Sequence, residues 1–263
     1  MFVLYAECLA GRQMHVFLDL WGVILDEVKM NEEYNALAAE KLASRFGGEP
    51  SVWREAYDSS WENYLLGLAE AEAKGDDWLA AADRLDPPLI LDTLRAVGVD
   101  WQGSDILSFA RDLEGQVAAS VAMAYPDAKA TIEKLRMGGH KVHVATQAGD
   151  WNARAALQGS GLVDHIDSIF SGSSQRAFKS VHAYWREIPK VAQVKGARPV
   201  LVDDRLDYLK AAHSAGFIAI LLVRGHKKTS SESSRFVTRT LSSLSDLPLL
   251  IESLAQEKIR RRL

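Results

Sequence analysis

The chain contains one cysteine, Cys8, in 263 residues. A lone thiol excludes an internal disulfide and any zinc centre built from several thiolates, and it fits a reducing cytoplasm. No run approaches the roughly 18 apolar residues that a membrane span needs. The opening MFVLYAECLAGRQM has no positive segment ahead of its apolar residues, so it is not read as a secretion signal. It reads as an extension over 1–13, with the start at Met1 or Met14, or as a short extra strand. Charge of one sign is scarce too. The net charge is −4, which leaves no electrostatic footprint for nucleic acid. The one basic cluster, KIRRRL at 258–263, reads as a solvated helix end. There is no internal repeat, and only the polar HKKTSSESS at 226–234 is compositionally biased, as a loop would be.

What is present is apolar sequence in short, ordered pieces. Hydrophobic residues make up 48% of the chain, enough to bury one large domain or a core with an insertion. Four runs rich in β-branched residues read as strands: HVFLDL (15–20), KVHVAT (141–146), PVLVDD (199–204) and FIAILLV (217–223). They lack polar alternation, which suits a parallel sheet covered on both faces. Helical patterns that stop at glycine separate the later runs, at 126–139, 150–161 and 205–216. Strand and helix in turn predict an α/β doubly wound parallel sheet of Rossmann-like type.

Between 28 and 120 the pattern is helical throughout, in segments 30–48, 50–75, 76–85 and 104–124. Four of the seven tryptophans fall here: Trp53, Trp61, Trp78 and Trp101. Their plainest role is packing within a helical bundle, with a substrate pocket as the other reading. The expected organisation is a core formed by 14–27 and 121–250, an inserted all-helical domain over 28–120, and a C-terminal helix end with a basic tail over 251–263.

The carboxyl ends of parallel strands converge on one edge of a sheet, where ligands bind. Asp19 ends the first run and Thr146 the second; Asp203 and Asp204 end the third, with Asp207 just beyond, and Lys179 follows a loop in SSQRAFKS. Each alone has a bland reading as a cap or loop residue. Their order and placement together do not.

This constellation resembles the haloacid dehalogenase-like (HAD) superfamily, in its subgroup with a helical cap after the first strand. WENYLLGLAEAE, AYPDAKATIEKLRMGGHKVHVATQAG and LVDDRLDYLKAAHSAGF extend the resemblance over nearly the whole chain from Met14. The resemblance implies Asp19 as a nucleophile that forms an aspartyl ester which water then cleaves. Thr146 would hydrogen-bond a transferring phosphoryl group, and Lys179 would neutralise charge there. Magnesium would be held by Asp19, the backbone carbonyl of Trp21, and Asp203 with Asp204 or Asp207. The implied ligand is a small, phosphorylated molecule, with no nucleic acid or membrane partner. A homodimer through the aromatic-rich helical block is a further expectation. Lys179 precedes Ser180, where relatives often have proline.

One position departs from the family's phosphatases. They carry aspartate two residues after the nucleophile, as the acid that protonates the leaving oxygen; here Trp21 stands there, and an indole exchanges no proton at neutral pH. Val23 also replaces the usual Thr or Ser. General acid catalysis contributes about 10²–10⁴-fold, so alkyl phosphates are expected to be slow substrates. The dehalogenase branch has an aromatic at this position and needs no acid, and Arg54 would then be its halide-binding arginine. That branch resembles Ser-x-Asn-x-x-Asp where this chain keeps VDDRLD, and adjacent carboxylates call for a cation. A degenerate, non-catalytic protein that binds a ligand or partner is a third reading. Gln147 would touch substrate or cap the next helix. His140 and His143 read as core or edge histidines rather than ligands.

Overall fold

The computed structural model describes residues 13–194, 198–225 and 235–260, the last four by backbone alone. Residues 1–12 of the expected extension over 1–13, the loop 226–234 and the end of the basic tail, 261–263, lie outside these residues.

Among the described residues six strands form one sheet in the order β3-β2-β1-β4-β5-β6, every neighbouring pair parallel. β1 (His15–Leu18) is wholly buried and pairs with β2 (Lys141–Ala145) on one side and β4 (Val200–Asp203) on the other. Side chains alternate across the sheet. Val16, Leu18, Val144 and Val202 enter one core cluster, and Phe17, Ala145, Leu201 and Ala219 the other. That is why these strands read as unbroken apolar runs. β5 spans Ile218–Leu222.

Two strands escaped the sequence reading. β3 (Ser168–Phe170) has three residues, and β6 (Val237–Leu241) is an edge strand with its middle residues exposed. Neither buries enough apolar surface to leave a signature.

Between β1 and β2 lie α1 (Glu27–Phe46), α2 (Pro50–Lys74), α3 (Trp78–Ala96), α4 (Ile106–Val121) and α5 (Ala128–Met137). Asp26, Asp77 and Asp105 cap α1, α3 and α4 by accepting backbone N–H groups. α3 corrects the expected helix over 76–85: it continues through Pro87 and Pro88 to Ala96. Asp86, paired with Arg111 of α4, and the buried Ile90 and Leu94 hold the helix on both sides of the proline pair, offsetting the backbone bonds that proline cannot make. Within this helical insert Trp53 stacks on Phe46 at 5.8 Å and Trp101 meets Phe109 at 5.0 Å. Both are packing residues.

Beyond β2 come α6 (Asp150–Gly159), α7 (Gly172–Gln175), α8 (His182–Arg186), α9 (Ile188–Val191), α10 (Leu206–Ser214) and α11 (Leu247–Arg260). The insert meets the rest of the chain in two ways. Its two connecting segments pair as a short antiparallel ribbon: Leu25 bridges Ala124, Asp26 N donates to Met123 O at 2.8 Å, and Tyr125 N donates to Ile24 O at 3.0 Å. In addition α4 lies directly on α6, so close that a Cβ on Gly159 would stand 1.9 Å from the carbonyl oxygen of Ala119.

At the other end of the sheet His15 and His143 share a 3.1 Å Nδ1–Nε2 hydrogen bond, and His143 stacks on Phe17 at 4.6 Å. His140 Nδ1 accepts from Met14 N, and its Nε2 meets Glu252. Burial, with the neighbouring His15, pulls the His143 pKa down to about 4. The unfolded chain therefore binds a proton that the folded one refuses between about pH 4 and 6.5, and stability falls as pH drops through that window. Acidification from pH 7 to pH 5 is expected to cost about 2 kcal/mol at this residue. Urea unfolding at both pH values should show a smaller difference in His143→Phe; an identical difference would remove His143 as the cause.

Candidate active site

The chain steps from β1 to β2 and β3 on one side, then returns to place β4 on the other side of β1. This reversal puts a crevice at the carboxyl end of β1. Asp19 is the next residue. Its amide donates to Val202 O at 3.0 Å, so the residue stays pinned to β4, and it is 7% exposed. Asp203 ends β4 and is fully buried, and Thr146, 2% exposed, follows β2. Lys179 arrives from the segment after α7, and its Nζ lies 2.6 Å from both Asp19 Oδ1 and Asp203 Oδ2.

Further hydrogen bonds hold this ion triad in place. Asp203 Oδ1 accepts from Arg205 N at 2.8 Å. Lys179 N donates to Gln147 Oε1 at 2.5 Å, and Lys179 O accepts from Trp185 Nε1 at 2.8 Å. The Tyr184 hydroxyl lies 2.6 Å from Phe170 O and 3.0 Å from Thr146 O and shares its one proton between these carbonyls, holding the end of β2. Thr146 Oγ1 accepts from Ala148 N at 3.3 Å. Burial pushes the Asp203 carboxyl up to about 7, with Asp19 adding to the rise and Lys179 opposing it. Burial likewise raises Asp19, moderated by Lys179. For Lys179 burial pulls downward, but the two carboxylates outweigh it and hold the ammonium above its ordinary pKa.

Asp204 brings a third carboxylate. Gly22 has φ +85°, and a Cβ there would meet Asp204 Oδ2 at 2.9 Å. The glycine after Trp21 therefore turns the chain and leaves room for that acid. Asp19, Asp203 and Asp204 each offer an oxygen, and these oxygens lie within 4.8 Å of one another. A set of hard oxygen donors this compact fits magnesium. The Trp21 ring is half-buried against the core, and the Trp21 backbone bridges Leu25 in the turn beyond Asp19.

Two expected site residues are not brought here. Asp207 sits in the first turn of α10, outside the carboxylate cluster, where Arg205 takes both its oxygens at 3.1 and 2.5 Å. Arg54 pairs with Asp58 near the start of α2. The opposite end of that helix reaches the site, where Glu72 accepts from the Ser180 hydroxyl. At 1.5 Å per residue Arg54 stands about 27 Å along the helix from Glu72. Gln147 is not a helix cap, since Gly149 occupies the N-cap of α6; its amide oxygen orients Lys179, while its Nε2 is buried without a hydrogen-bond partner among the described residues. Tyr184, Trp185 and Glu72 escaped the sequence reading. The only hint was an aromatic pair shortly after Lys179.

Comparison with known proteins agrees with this geometry. A family model described as haloacid dehalogenase-like hydrolase matches residues 14–216. Phosphatase MT3486 of Mycobacterium tuberculosis (strain CDC 1551 / Oshkosh) is 32% identical over 124 residues, 47% of this chain and 55% of that protein; the match thus spans about half of the relative's length. Among solved structures, a 2-haloacid dehalogenase from Pseudomonas syringae pv. Tomato DC3000 superposes with TM-score 0.66 at 21% identity, covering 95% of this chain and all of the other. The HAD-hydrolase YfnB from Bacillus subtilis, solved bound to magnesium, gives 0.63 at 16% identity, with 91% and 99% covered. Such structural likeness carries the fold alone, whereas the family match extends over residues 14–216, from β1 through the paired acids after β4: the chain belongs to the haloacid dehalogenase-like hydrolases.

Proposed function

We propose that the protein is a magnesium-dependent phosphohydrolase acting on a small phosphate ester whose leaving group needs little protonation. The observation that carries this reading is the third carboxylate: Asp204 joins Asp19 and Asp203 within 4.8 Å. One ammonium, that of Lys179, already serves Asp19 and Asp203. Three carboxylate oxygens this close together form the hard-donor set that a divalent cation takes. Asp19, Asp203 and Asp204 would hold that cation, which would offset their repulsion of a phosphate dianion.

Asp19 Oδ attacks phosphorus, the bond to the leaving oxygen breaks, and water then cleaves the aspartyl phosphate to regenerate the carboxylate. Lys179 keeps Asp19 ionised and aimed, and the Thr146 hydroxyl donates to a phosphoryl oxygen. Trp21 supplies no proton, so the leaving oxygen departs as an anion. The helical insert acts as a cap, with Glu72 of α2 reaching the residue next to Lys179. Trp21 also favours a second reading, carbon–halogen hydrolysis, in which halide leaves unprotonated; with Arg54 far along α2, that reading has lost its halide-binding residue.

The test is hydrolysis of p-nitrophenyl phosphate with and without magnesium. Turnover is expected to require the cation and to fall by about 10⁴-fold or more in Asp19→Asn. Alkyl phosphates should be slower by about 10²–10⁴-fold, a gap that Trp21→Asp narrows. Absence of magnesium-dependent turnover, with chloride released from 2-chloropropionate, would transfer the assignment to the second reading.

A further inference from the structure

Beneath the ribbon that joins the insert to the core sits one arginine with no part in the chemistry above. Arg224 follows β5, and its side chain is 19% exposed. One guanidinium nitrogen donates to Val23 O at 2.8 Å and to Asp127 Oδ1 at 3.0 Å, and the other reaches Asp127 Oδ2 at 3.2 Å. The guanidinium carbon stands 3.7 Å from the centroid of the Tyr125 ring. Asp127 is itself anchored, accepting from Ser243 Oγ at 2.7 Å and Leu244 N at 2.8 Å. Burial pushes the Asp127 carboxyl up, but Arg224, Ser243 and Leu244 outweigh it and keep it below the usual carboxylate range.

Arg224 therefore touches both arms of the ribbon, Val23 on the outgoing arm and Tyr125 on the returning one. The outgoing arm is continuous with the turn that carries Trp21, closed by Gly22 N to Leu25 O at 2.9 Å and Leu25 N to Leu20 O at 2.8 Å. Any displacement of the ribbon moves that turn, and with it the residues beside Asp19. Arg224 Nε is buried without a hydrogen-bond partner among the described residues. Such a defect is a poor choice for stability alone. A planar fork that stacks on a ring and binds two acceptors is something lysine cannot copy.

We propose that Arg224 is a positioning residue: it fixes the ribbon to the turn after the nucleophile, so that one side chain sets the placement of both the helical insert and Trp21. Its effect on turnover rests on the phosphohydrolase reading; its effect on backbone protection does not. Hydrogen exchange would be followed in peptides covering 20–26 and 122–127 and, as a reference, the β2 segment 141–145, in the parent, Arg224→Ala and Arg224→Lys. Both ribbon peptides are expected to exchange about tenfold faster in each variant, with β2 unchanged. For p-nitrophenyl phosphate, kcat should fall about tenfold while KM changes little, and added methylguanidinium should restore part of kcat in Arg224→Ala alone. If Arg224→Ala does not fold, the exchange comparison in Arg224→Lys carries the test. Unchanged exchange at either ribbon peptide, or equal acceleration of β2, would overturn the proposal. Faster ribbon exchange in a protein whose parent turns over no phosphate ester would keep the proposal and sink the hydrolase reading instead.

Discussion

Gly159→Ala is expected to lower the melting temperature by roughly 10 °C, a cost of about 3 kcal/mol or more. The new methyl carbon would stand 1.9 Å from the Ala119 carbonyl oxygen, 2.7 Å from its carbon and 2.8 Å from its Cα. These are backbone atoms within a helix, so no rotamer change relieves the overlap. α4 and α6 would have to separate, breaking a buried contact that includes Val117, Ala118, Ala153 and Ala156. Gly115 is the internal control. It lies on the same helix pair, yet a Cβ there meets Ala155 Cβ at 3.6 Å and Trp151 O at 3.8 Å, ordinary contacts. Gly115→Ala should therefore be neutral or stabilising, by up to about 1 kcal/mol from helix propensity. Thermal unfolding of both variants checks the pair; similar melting temperatures would mean that the helices are not in the close contact described.

Lys179→Met should cost about 3–5 kcal/mol of stability, because it removes the cation while leaving its two buried carboxylates. It should also lower turnover by about 10²–10³-fold or more, the scale for deleting one preorganised charge donor. Each 2.6 Å contact involves a fully buried ammonium, so solvent replaces none of the lost charge. Magnesium separates the electrostatic cost from simple loss of packing. A cation that binds only the folded carboxylate cluster raises stability by mass action. The melting temperature of Lys179→Met is expected to rise with magnesium more than that of the parent does, and Asp204→Asn should weaken the rise. A variant insensitive to magnesium would indicate that these acids hold no divalent ion.

Both predictions depend on residues that differ in how visible they are in the sequence. Asp19, Thr146, Asp203 and Asp204 are legible because each terminates an unbroken apolar run, and such runs reveal both the strand and its end. Lys179 has no strand to mark it; only its order among the other residues does, and the structure places it against Asp19 and Asp203. Arg54 shows the opposite case. Its residue type suits an anion, but a helix of 25 residues has two ends far apart, and composition does not say which end meets the core. Gly159 is invisible for another reason. It looks like a helix stop, while the structure uses it for space beside a carbonyl 40 residues earlier in the chain. The helix read over 76–85 runs on through the proline pair in α3, where buried neighbours on both sides override intrinsic preference. β3 and β6 bury too little to be read at all.

The central place of β1 also bears on how the chain is made. Val16 pairs with Val142 on one edge and Val200 on the other. At roughly 5–20 residues per second, the second partner emerges about 10–40 s after β1 itself. For that interval an apolar strand lacks the neighbour that will close its edge, the condition under which strands pair wrongly between chains. The helices of the insert emerge during the wait. Leu20, Val23, Ile24 and Leu25, which follow β1 directly, share a buried cluster with residues of α1 and α4. The helices that follow β1 in the chain are thus also the nascent chain's first available cover for its central strand.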